Sequence, residues 1–148
     1  CKGTDNSKTE VTVMGDMAAF AGRMRAKANR VDQAVADAMK QVAIAVVSDV
    51  APATPIKSGQ AQANWLVFVG NPSPFYSANA NSNGGWRESV ANAQARLANY
   101  HGGDIHIVNN VPYIAELNRG SSRQAPALFV QSAVLRAQYR FKGIRIKL

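Results

Sequence analysis

The spacing of apolar residues over residues 17–50 constrains the fold of this chain more than any other sequence feature. Valine, alanine and methionine recur there every three or four residues, which is the period of one face of an α-helix. The sequence therefore predicts a long helix, interrupted at residues 29–30. It ends at Pro52, because proline disfavours the helical conformation in the residue before it. The predicted apolar stripe consists of Val31, Val35, Ala38, Met39, Val42, Ala45 and Val46.

The segment before this helix has a different pattern. Residues 10–14, E-V-T-V-M, largely alternate polar and apolar side chains, and this alternation favours a short strand. Gly15 and Asp16 then predict a break, with Asp16 as the residue that caps the helix. We expect the polar residues 1–9 to form a mobile N-terminal tail.

Downstream of Pro52, shorter segments alternate between strand and helix patterns. Strands are predicted at 63–69 and 105–111, helices at 86–100 and 127–140, and a turn or short helix at 112–117. The inward faces of the two helices are predicted to contain Val90, Ala93, Leu97 and Tyr100, and Ala127, Val130, Val134 and Leu135. A loop of sixteen residues rich in turn formers occupies 70–85, and loops of that length are usually functional or flexible.

These elements together predict the fold class. It is α+β: a small single domain with a long N-terminal helix packed on an antiparallel or mixed β-sheet, with additional helices and extended termini. Residues 10–140 form the predicted core, and no internal repeat or second domain is recognisable. Residues 141–148 alternate apolar and basic side chains, which predicts a basic C-terminal arm able to add a strand to the edge of another sheet.

The junction at residues 54–65 lies between the long helix and the first strand pattern. It contains no obvious catalytic group. Pro55 holds the exit from the helix extended, and Gly59 permits a backbone turn that a side chain would disfavour. We expect Trp65 to lock the following strand against the helix, so that the junction contributes shape rather than chemistry.

Positive charge is concentrated in two places. The chain carries a formal net charge of +8, and the residues after Glu116 contribute seven positive charges and no acid. A second basic cluster lies in the long helix, at Arg23, Arg25, Lys27 and Arg30. Such asymmetry favours a surface that contacts nucleic acid or an acidic protein, and the alternative is a solvated surface that aids solubility.

Residues with catalytic or metal-binding chemistry are few. His101, His106 and Asp104 are an incomplete ligand set for a zinc site. Ser58, His106 and Asp104 are the residue types of a catalytic triad, but no nucleophile-elbow motif supports that reading. The sequence has no phosphate-binding glycine motif and no carboxylate pair suited to acid–base catalysis. We therefore expect no enzymatic activity, no cofactor and no metal.

Cysteine content and hydropathy limit the class of protein further. Cys1 is the single cysteine, so no disulfide forms within this sequence. A chain that begins with cysteine is processed or truncated, and a polar stretch after the cysteine also fits a mature bacterial lipoprotein. No apolar run approaches the roughly 20 residues of a membrane-spanning helix, so we expect no membrane contact.

Two segments, taken together, resemble a known family. The first motif segment, T-P-I-K-S-G-Q-A-Q-A-N-W at residues 54–65, is similar to a junction in the tail-completion and head–tail joining (neck) proteins of tailed bacteriophages. The second motif segment, N-N-V-P-Y-I-A-E-L-N-R-G-S-S-R-Q-A-P-A-L-F-V-Q-S-A-V at residues 109–134, is similar to their second signature. With the preceding helix, the resemblance covers residues 17–135. The sequence departs from the family pattern at two positions. Lys57 stands where the family often has an acidic or polar residue, and Gln60 stands where a basic residue is common.

The resemblance implies a structural role in a virion. Proteins of this family form rings, often hexameric, in the neck or at the top of the tail, around a channel that DNA crosses. The implied partners are further copies of the chain, head connector or adaptor proteins, and tail-tube or tail-terminator subunits, with nonspecific contact to DNA in the channel. The implied location is the virion, and the host cytoplasm during assembly.

Candidate interaction residues lie in three places. Phe75 and Tyr76 in the long loop are predicted to anchor a neighbour, with local packing as the alternative. Arg119 and Arg123 flank a Gly-Ser-Ser turn and are predicted to reach a subunit or DNA, with a solvated turn as the alternative. The C-terminal arm contributes basic side chains that are predicted to face outward, those of Arg140, Lys142, Arg145 and Lys147.

A nonspecific DNA-binding protein is the alternative function. The basic clusters would then contact phosphates without reading bases. A lipoprotein or periplasmic interaction module is a third class that the sequence leaves open.

Overall fold

A computed structural model describes residues 6–78 and 85–143 of the chain. The elements in these residues are α1 (Asn6–Ala53), α2 (Gln60–Ala63), β1 (Leu66–Val69), α3 (Trp86–Arg96), β2 (Ile105–Val108), α4 (Ile114–Asn118) and α5 (Phe129–Phe141). β1 and β2 pair antiparallel, with Val67 opposite Ile107. The long N-terminal helix, the antiparallel sheet and the further helices confirm the predicted α+β class.

α1 is continuous over its 48 residues. At about 1.5 Å per residue it is about 72 Å long. The predicted strand at 10–14, the break at Gly15 and the interruption at 29–30 are wrong, and residues 6–9 of the predicted tail are helical as well. A helix gains one backbone hydrogen bond for each residue added, whereas a strand needs a second strand to pair with. A glycine inside a helix lowers helix stability by only about 1 kcal/mol relative to alanine, so Gly15 does not end α1.

The core forms where the C-terminal part of α1 packs mainly on α3 and α5. Small side chains dominate this contact, and they permit close approach of the helices. Its most buried apolar members are Val47, Val50 and Ala51 of α1, Ala93 of α3 and Leu97 directly after it, and Phe129 and Ala133 of α5. Trp65 and Val67 extend this core to the sheet. The core thus joins the end of α1 to the start of β1.

The core face of α1 differs from the predicted stripe, of which Ala45 alone is buried. Ala36, Ala43 and Val47 are 4%, 5% and 0% exposed, whereas Val35 and Met39 of the stripe are 39% and 40% exposed. The two sets are about a quarter turn apart on the helix. α1 therefore has two apolar faces, and the described residues cover one of them more fully than the other.

The inward face of α5 was also only partly predicted. Phe129, Ala133 and Ala137 are buried, while Val134 and Leu135 are 40% and 53% exposed. Ala127 is exposed and precedes the helix, and Val130 packs partly on the core, as predicted. The inward residues predicted for the helix at 86–100 are confirmed, with Ala93, Leu97 and Tyr100 buried and Val90 packed beside them, although α3 ends at Arg96 and Leu97 and Tyr100 follow it.

Both strands are shorter than predicted. β1 begins at Leu66 because Gln60–Ala63 forms the helical turn α2, after Gly59 adopts a left-handed φ of 78°. β2 ends at Val108, and the two asparagines that follow it bind neighbouring backbone with their side chains. α4 confirms the predicted short helix.

Candidate interaction site

A buried hydroxyl fixes the junction after α1. Thr54 is 1% exposed, and its Oγ1–H donates to the carbonyl of Val50 at 2.8 Å. The same oxygen accepts a hydrogen bond from the indole Nε1–H of Trp65 at 2.9 Å. Trp65 is thereby tied to the last turn of α1, which confirms its predicted locking role.

Gln62 and Ser89 complete this junction. Gln62 Nε2 donates to the Thr54 carbonyl at 2.8 Å, and the Gln62 carbonyl accepts from the Ser89 hydroxyl at 2.8 Å. Ser89 Oγ in turn accepts the backbone N–H of Trp65 at 3.0 Å. Among the described residues, no buried side-chain nitrogen or oxygen lacks a hydrogen-bond partner. The first motif segment is therefore tied by hydrogen bonds to the last turn of α1 and to Ser89 of α3.

The two motif segments, distant in sequence, lie against each other. Hydrogen bonds join them from Ile56 N–H to Gln124 Oε1 (2.8 Å), from Tyr113 Oη–H to Gln60 Oε1 (3.1 Å) and from Asn109 Nδ2–H to the Ala61 carbonyl (2.8 Å). The resemblance was carried by each segment separately in the sequence. The fold brings both into one unit.

A cleft of about 860 Å³ lies between the motif segments. The first segment lines it with residues 55–61, and the second with Tyr113, Leu117 and residues 121–124. Lys57 and Arg123 bring two positive charges to it, and no histidine or carboxylate is among the described residues that line it. Its hydroxyl, amide and cationic groups suit binding of an acidic segment, since charged donors make the stronger hydrogen bonds to carboxylates.

Two asparagine amides, those of the buried Asn64 and the partly buried Asn110, hold the described part of the long loop. Asn64 is 0% exposed; its Nδ2 donates to the Ser77 carbonyl at 2.9 Å, and its Oδ1 accepts the Ser77 N–H at 2.6 Å. Asn110 Nδ2 donates to the carbonyls of Ser73 at 2.8 Å and Phe75 at 2.9 Å. All of these contacts reach the loop through its backbone. They fix the path of residues 73–77 over the domain.

Phe75 and Tyr76, the two loop residues predicted to contact a neighbour, differ in solvent exposure. The Phe75 side chain is 61% exposed, whereas Tyr76 is only partly exposed. Phe75 thus remains available for a partner, and Tyr76 belongs in part to local packing. Their predicted contact with a neighbour stays a prediction.

The predicted arginines of the Gly-Ser-Ser turn have separate surroundings. Arg119 forms an exposed ion pair with Glu116 at 3.0 Å. Arg123 lines the cleft with Gln124. Gly120 between them has a φ of +94°, and a Cβ there would lie 3.0 Å from the Cβ of Ala127. The glycine therefore lets the turn fold tightly back towards α5, and the two arginines do not form one cluster.

The basic residues near the C-terminal end also differ in their surroundings. Arg140 belongs to α5 rather than to a free arm, and it binds both carboxylate oxygens of Asp49 at 3.1 and 3.2 Å. This corrects its predicted place in the outward-facing arm, because its guanidinium ties α5 to α1. Lys142 is exposed just after α5. Arg145 and Lys147, with the strand predicted around them, lie outside the described residues.

The sequence analysis missed an apolar surface on the N-terminal part of α1. Here the exposed half means residues 15–30. Within it Met17, Phe20 and Met24 are 63%, 52% and 51% exposed. Their spacing of three and four residues places them on one side of the helix. The signal was present in the sequence, but the predicted apolar stripe included only residues from Val31 onward.

Basic residues flank this apolar surface. Arg23, Lys27 and Arg30 line a shallow depression of about 340 Å³ together with Ala26. Their three- and four-residue spacing places them on one side of α1, and Arg25 falls on another. The exposed half therefore combines an apolar stripe with positive charge.

Two further findings hold for residues 6–78 and 85–143, and they concern metal binding and the membrane. No group of three or more His, Cys, Asp or Glu residues is placed there to hold a metal ion. No helix in these ranges has the length and apolar character needed to cross a membrane.

Comparison of the chain with protein-family models, with curated proteins and with solved structures gives no match. The resemblance to phage neck proteins therefore stays a prediction carried by the two motif segments.

Proposed function

We propose that this protein is a structural virion protein of a tailed phage. It forms a ring in the neck or at the top of the tail and joins the head connector to the tail. The observation that carries the proposal is the packing of the two motif segments into one hydrogen-bonded unit. Motifs that occur together in one family are expected to form a common structural element, and here both line a single cleft.

The exposed half of α1 supports assembly with further copies. Isolated large apolar side chains are common on protein surfaces, but an ordered stripe of them marks an interaction surface. Met17, Phe20 and Met24 form such a stripe, and each is more than half exposed. In a ring, each subunit uses two different surfaces for its two neighbours. The stripe supplies one of them.

The cleft and the loop supply surfaces for other partners. Lys57 and Arg123 suit an acidic segment of a connector or tail subunit. Phe75 suits an apolar pocket on a partner, since aromatic side chains are enriched in protein interfaces.

The mass of the protein in solution tests the proposal. We expect size-exclusion chromatography with light scattering to give an assembly of several 15.8 kDa chains, and negative-stain electron microscopy to show rings. A protein that stays monomeric at every concentration, alone and with its connector and tail proteins, would contradict the proposal.

Substitutions on opposite sides of α1 locate the ring contact. Phe20→Glu and Met24→Glu should reduce the assembly to monomers and leave the melting temperature of the core unchanged, because neither side chain packs on the core. Ala26→Glu is the matched control, since Ala26 is exposed on another side of the same helix. Equal loss of assembly in all three variants would show that the stripe is not the contact surface between subunits.

Nonspecific DNA binding is the second candidate function. The depression lined by Arg23, Lys27 and Arg30 favours it, because clustered cations attract phosphate. Fluorescence anisotropy with a labelled duplex should then show affinity that falls steeply with salt, and Arg23→Glu with Lys27→Glu should reduce the slope. A ring that forms independently of salt and has no affinity for duplex would reject this candidate.

A further inference from the structure

The second apolar face of α1 forms one wall of a groove. The groove has a volume of about 450 Å³, and every described residue that lines it is apolar. Its lining includes Val35, Met39 and Val42 of α1, Ile105 and Ile107 of β2, and Phe141 at the end of α5. Val35 and Met39 remain 39% and 40% exposed. The groove is therefore a concave apolar surface that the described residues leave partly open to water, which is unfavourable.

One line of apolar side chains joins this groove to the stripe on the exposed half of α1. From residue 17 to residue 42 these side chains recur at alternating intervals of four and three residues, which keeps them on one side of the helix. The line consists of Met17, Met24, Ala28, Val31, Val35 and Val42, with alanines at 21 and 38. All of them are exposed or only partly buried. This is the spacing by which two long helices pack side by side.

The positions of the stripe and the groove favour one orientation for such a pair. Both lie on the same side of α1, and their centres are about 30 Å apart along its axis. Two copies that face each other in antiparallel orientation therefore place the stripe of each copy in the groove of the other. A parallel pair would instead set stripe on stripe and groove on groove, and both concave surfaces would stay unfilled.

The line of apolar residues also gives the register. When the antiparallel pair is centred between residues 29 and 30, Met17 of one copy lies opposite Val42 of the other. In the same register Met24 lies opposite Val35, so each line position meets a line position of the second copy. Val35 and Val42 line the groove, so the two methionines of the stripe enter it.

Two opposite charges fit this register. Arg25 and Asp32 are seven residues apart, so they lie on one flank of the apolar line. Both are exposed, and neither forms an ion pair with another described residue. In the antiparallel register Arg25 of one copy lies within about 3 Å, measured along the helix axis, of Asp32 of the other. Because the pair has two-fold symmetry, this attraction occurs twice.

We propose that two copies of the chain pair through α1 in antiparallel orientation, with the stripe of each copy in the groove of the other. A second copy is the occupant because the apolar line and the Arg25 and Asp32 charges of α1 complement the same helix when it is reversed. The inference rests on the proposed function in one respect, namely the use of the stripe as a contact between copies. It adds the surface that receives the stripe, and in a ring it describes the contact with one of the two neighbours.

Disulfide trapping between two variant chains tests the orientation. In a Cys1→Ser background, one chain carries Met24→Cys and the other Val35→Cys, and oxidation of their mixture is followed by mass spectrometry and non-reducing electrophoresis. Because a disulfide needs close Cβ atoms, we expect the mixed dimer to form about tenfold faster than the dimer of either variant with itself. Ala26→Cys mixed with Val35→Cys is the matched control, since Ala26 is exposed on another side of α1. Circular dichroism before oxidation confirms that each variant is folded.

Charge reversal tests the register. Arg25→Glu and Asp32→Arg should each raise the dissociation constant of the dimer about fivefold, because each variant places like charges near each other at two points. The double variant should restore the original value, since it exchanges the two charges. Asp37→Arg changes the net charge as Asp32→Arg does, but it lies on another side of the helix and should have no effect. Sedimentation equilibrium measures all four constants.

Three outcomes overturn the proposal. Faster joining of Met24→Cys to itself than to Val35→Cys would show a parallel pair. Equal rates for Met24→Cys and Ala26→Cys would show that the groove does not receive the stripe. A double variant as weak as the single ones would reject the register. If such a protein still forms rings in electron microscopy, the proposed function stands without this pairing, whereas the mixed disulfide in a protein that forms no rings would support the pairing alone.

Discussion

The two ends of α1 share one regular backbone but have opposite surroundings. Near the C-terminal end Ala43, Val47 and Val50 are at most 5% exposed and pack against the rest of the domain. In the exposed half, Met17 and Phe20 are 63% and 52% exposed. The described residues outside α1 therefore stabilise only the C-terminal end of this helix.

The difference separates two sources of helix stability. The exposed half depends on the intrinsic helix preference of residues such as alanine, methionine, arginine and lysine, which gives marginal stability in water. The C-terminal end is stabilised by apolar burial, at roughly 25 cal/mol per Å². The exposed half is about 24 Å long, and in the proposed ring a neighbouring subunit packs there.

The same substitution at the two ends should give the largest contrast. Ala43→Glu places a carboxylate in the core and should lower the free energy of unfolding by about 3 kcal/mol or more. Ala26→Glu should change it by less than about 0.5 kcal/mol, because Ala26 is exposed. Urea denaturation followed by circular dichroism measures both. Similar losses in the two variants would show that the exposed half is packed after all.

Substitution of Thr54, which connects the C-terminal end of α1 to the start of the sheet, should give the second-largest loss in the free energy of unfolding. Thr54→Val removes the hydroxyl and leaves the buried Trp65 Nε1–H without its partner, so we expect a loss of about 2 kcal/mol in the free energy of unfolding. Thr54→Ser keeps the hydroxyl and is the control, with a smaller expected loss. If valine and serine had the same effect, the methyl group rather than the hydrogen bonds would be responsible.

The exposed half should respond to helix preference alone. Gly22→Ala meets nothing within 4 Å and should stabilise the local helix by up to about 1 kcal/mol. Slower amide hydrogen exchange over residues 15–30 would report this gain, while the melting temperature of the core stays constant. Gly120→Ala is the contrasting control, because its φ of +94° and its 3.0 Å approach to Ala127 predict destabilisation. Slower exchange at the C-terminal end as well would mean that the two ends open as one unit.

The ion pair at the C-terminal end should give the smallest effect. Arg140→Met removes the contact to Asp49, but the Arg140 side chain is 52% exposed. Solvent screening should limit the loss in unfolding free energy to less than about 1 kcal/mol, and this loss should shrink at high salt. Denaturation at low and high salt measures it. A large loss that does not change with salt would show that the alkyl chain, rather than the charge, stabilises the α1–α5 contact.

The sequence predicted the kinds of element better than their faces. The long helix and the two strands were expected from periodicity, and a turn or short helix was expected at 112–117. The core face of α1 was not, because larger residues such as Val35 and Met39 gave the more apolar pattern. The structure instead buries Ala36 and Ala43. Small side chains allow neighbouring helices to approach closely, and this preference depends on the neighbours rather than on the helix itself.

The candidate site shows the same limit. Each motif segment was recognisable in the sequence, and so was the locking role of Trp65. The contact of Ile56 with Gln124 joins residues 68 positions apart, and no periodicity encodes such a pairing. The role of Asp49 in binding Arg140 was likewise hidden, since both residues look like solvated charges in the sequence.

The anchoring of the long loop has a consequence for variation. Asn64 and Asn110 bind backbone groups of Ser73, Phe75 and Ser77. Nearly any residue offers the same carbonyl, so side chains in this part of the loop are free to change while its path stays the same. A substitution of Phe75 should therefore change the surface that the loop presents without changing the path of its backbone.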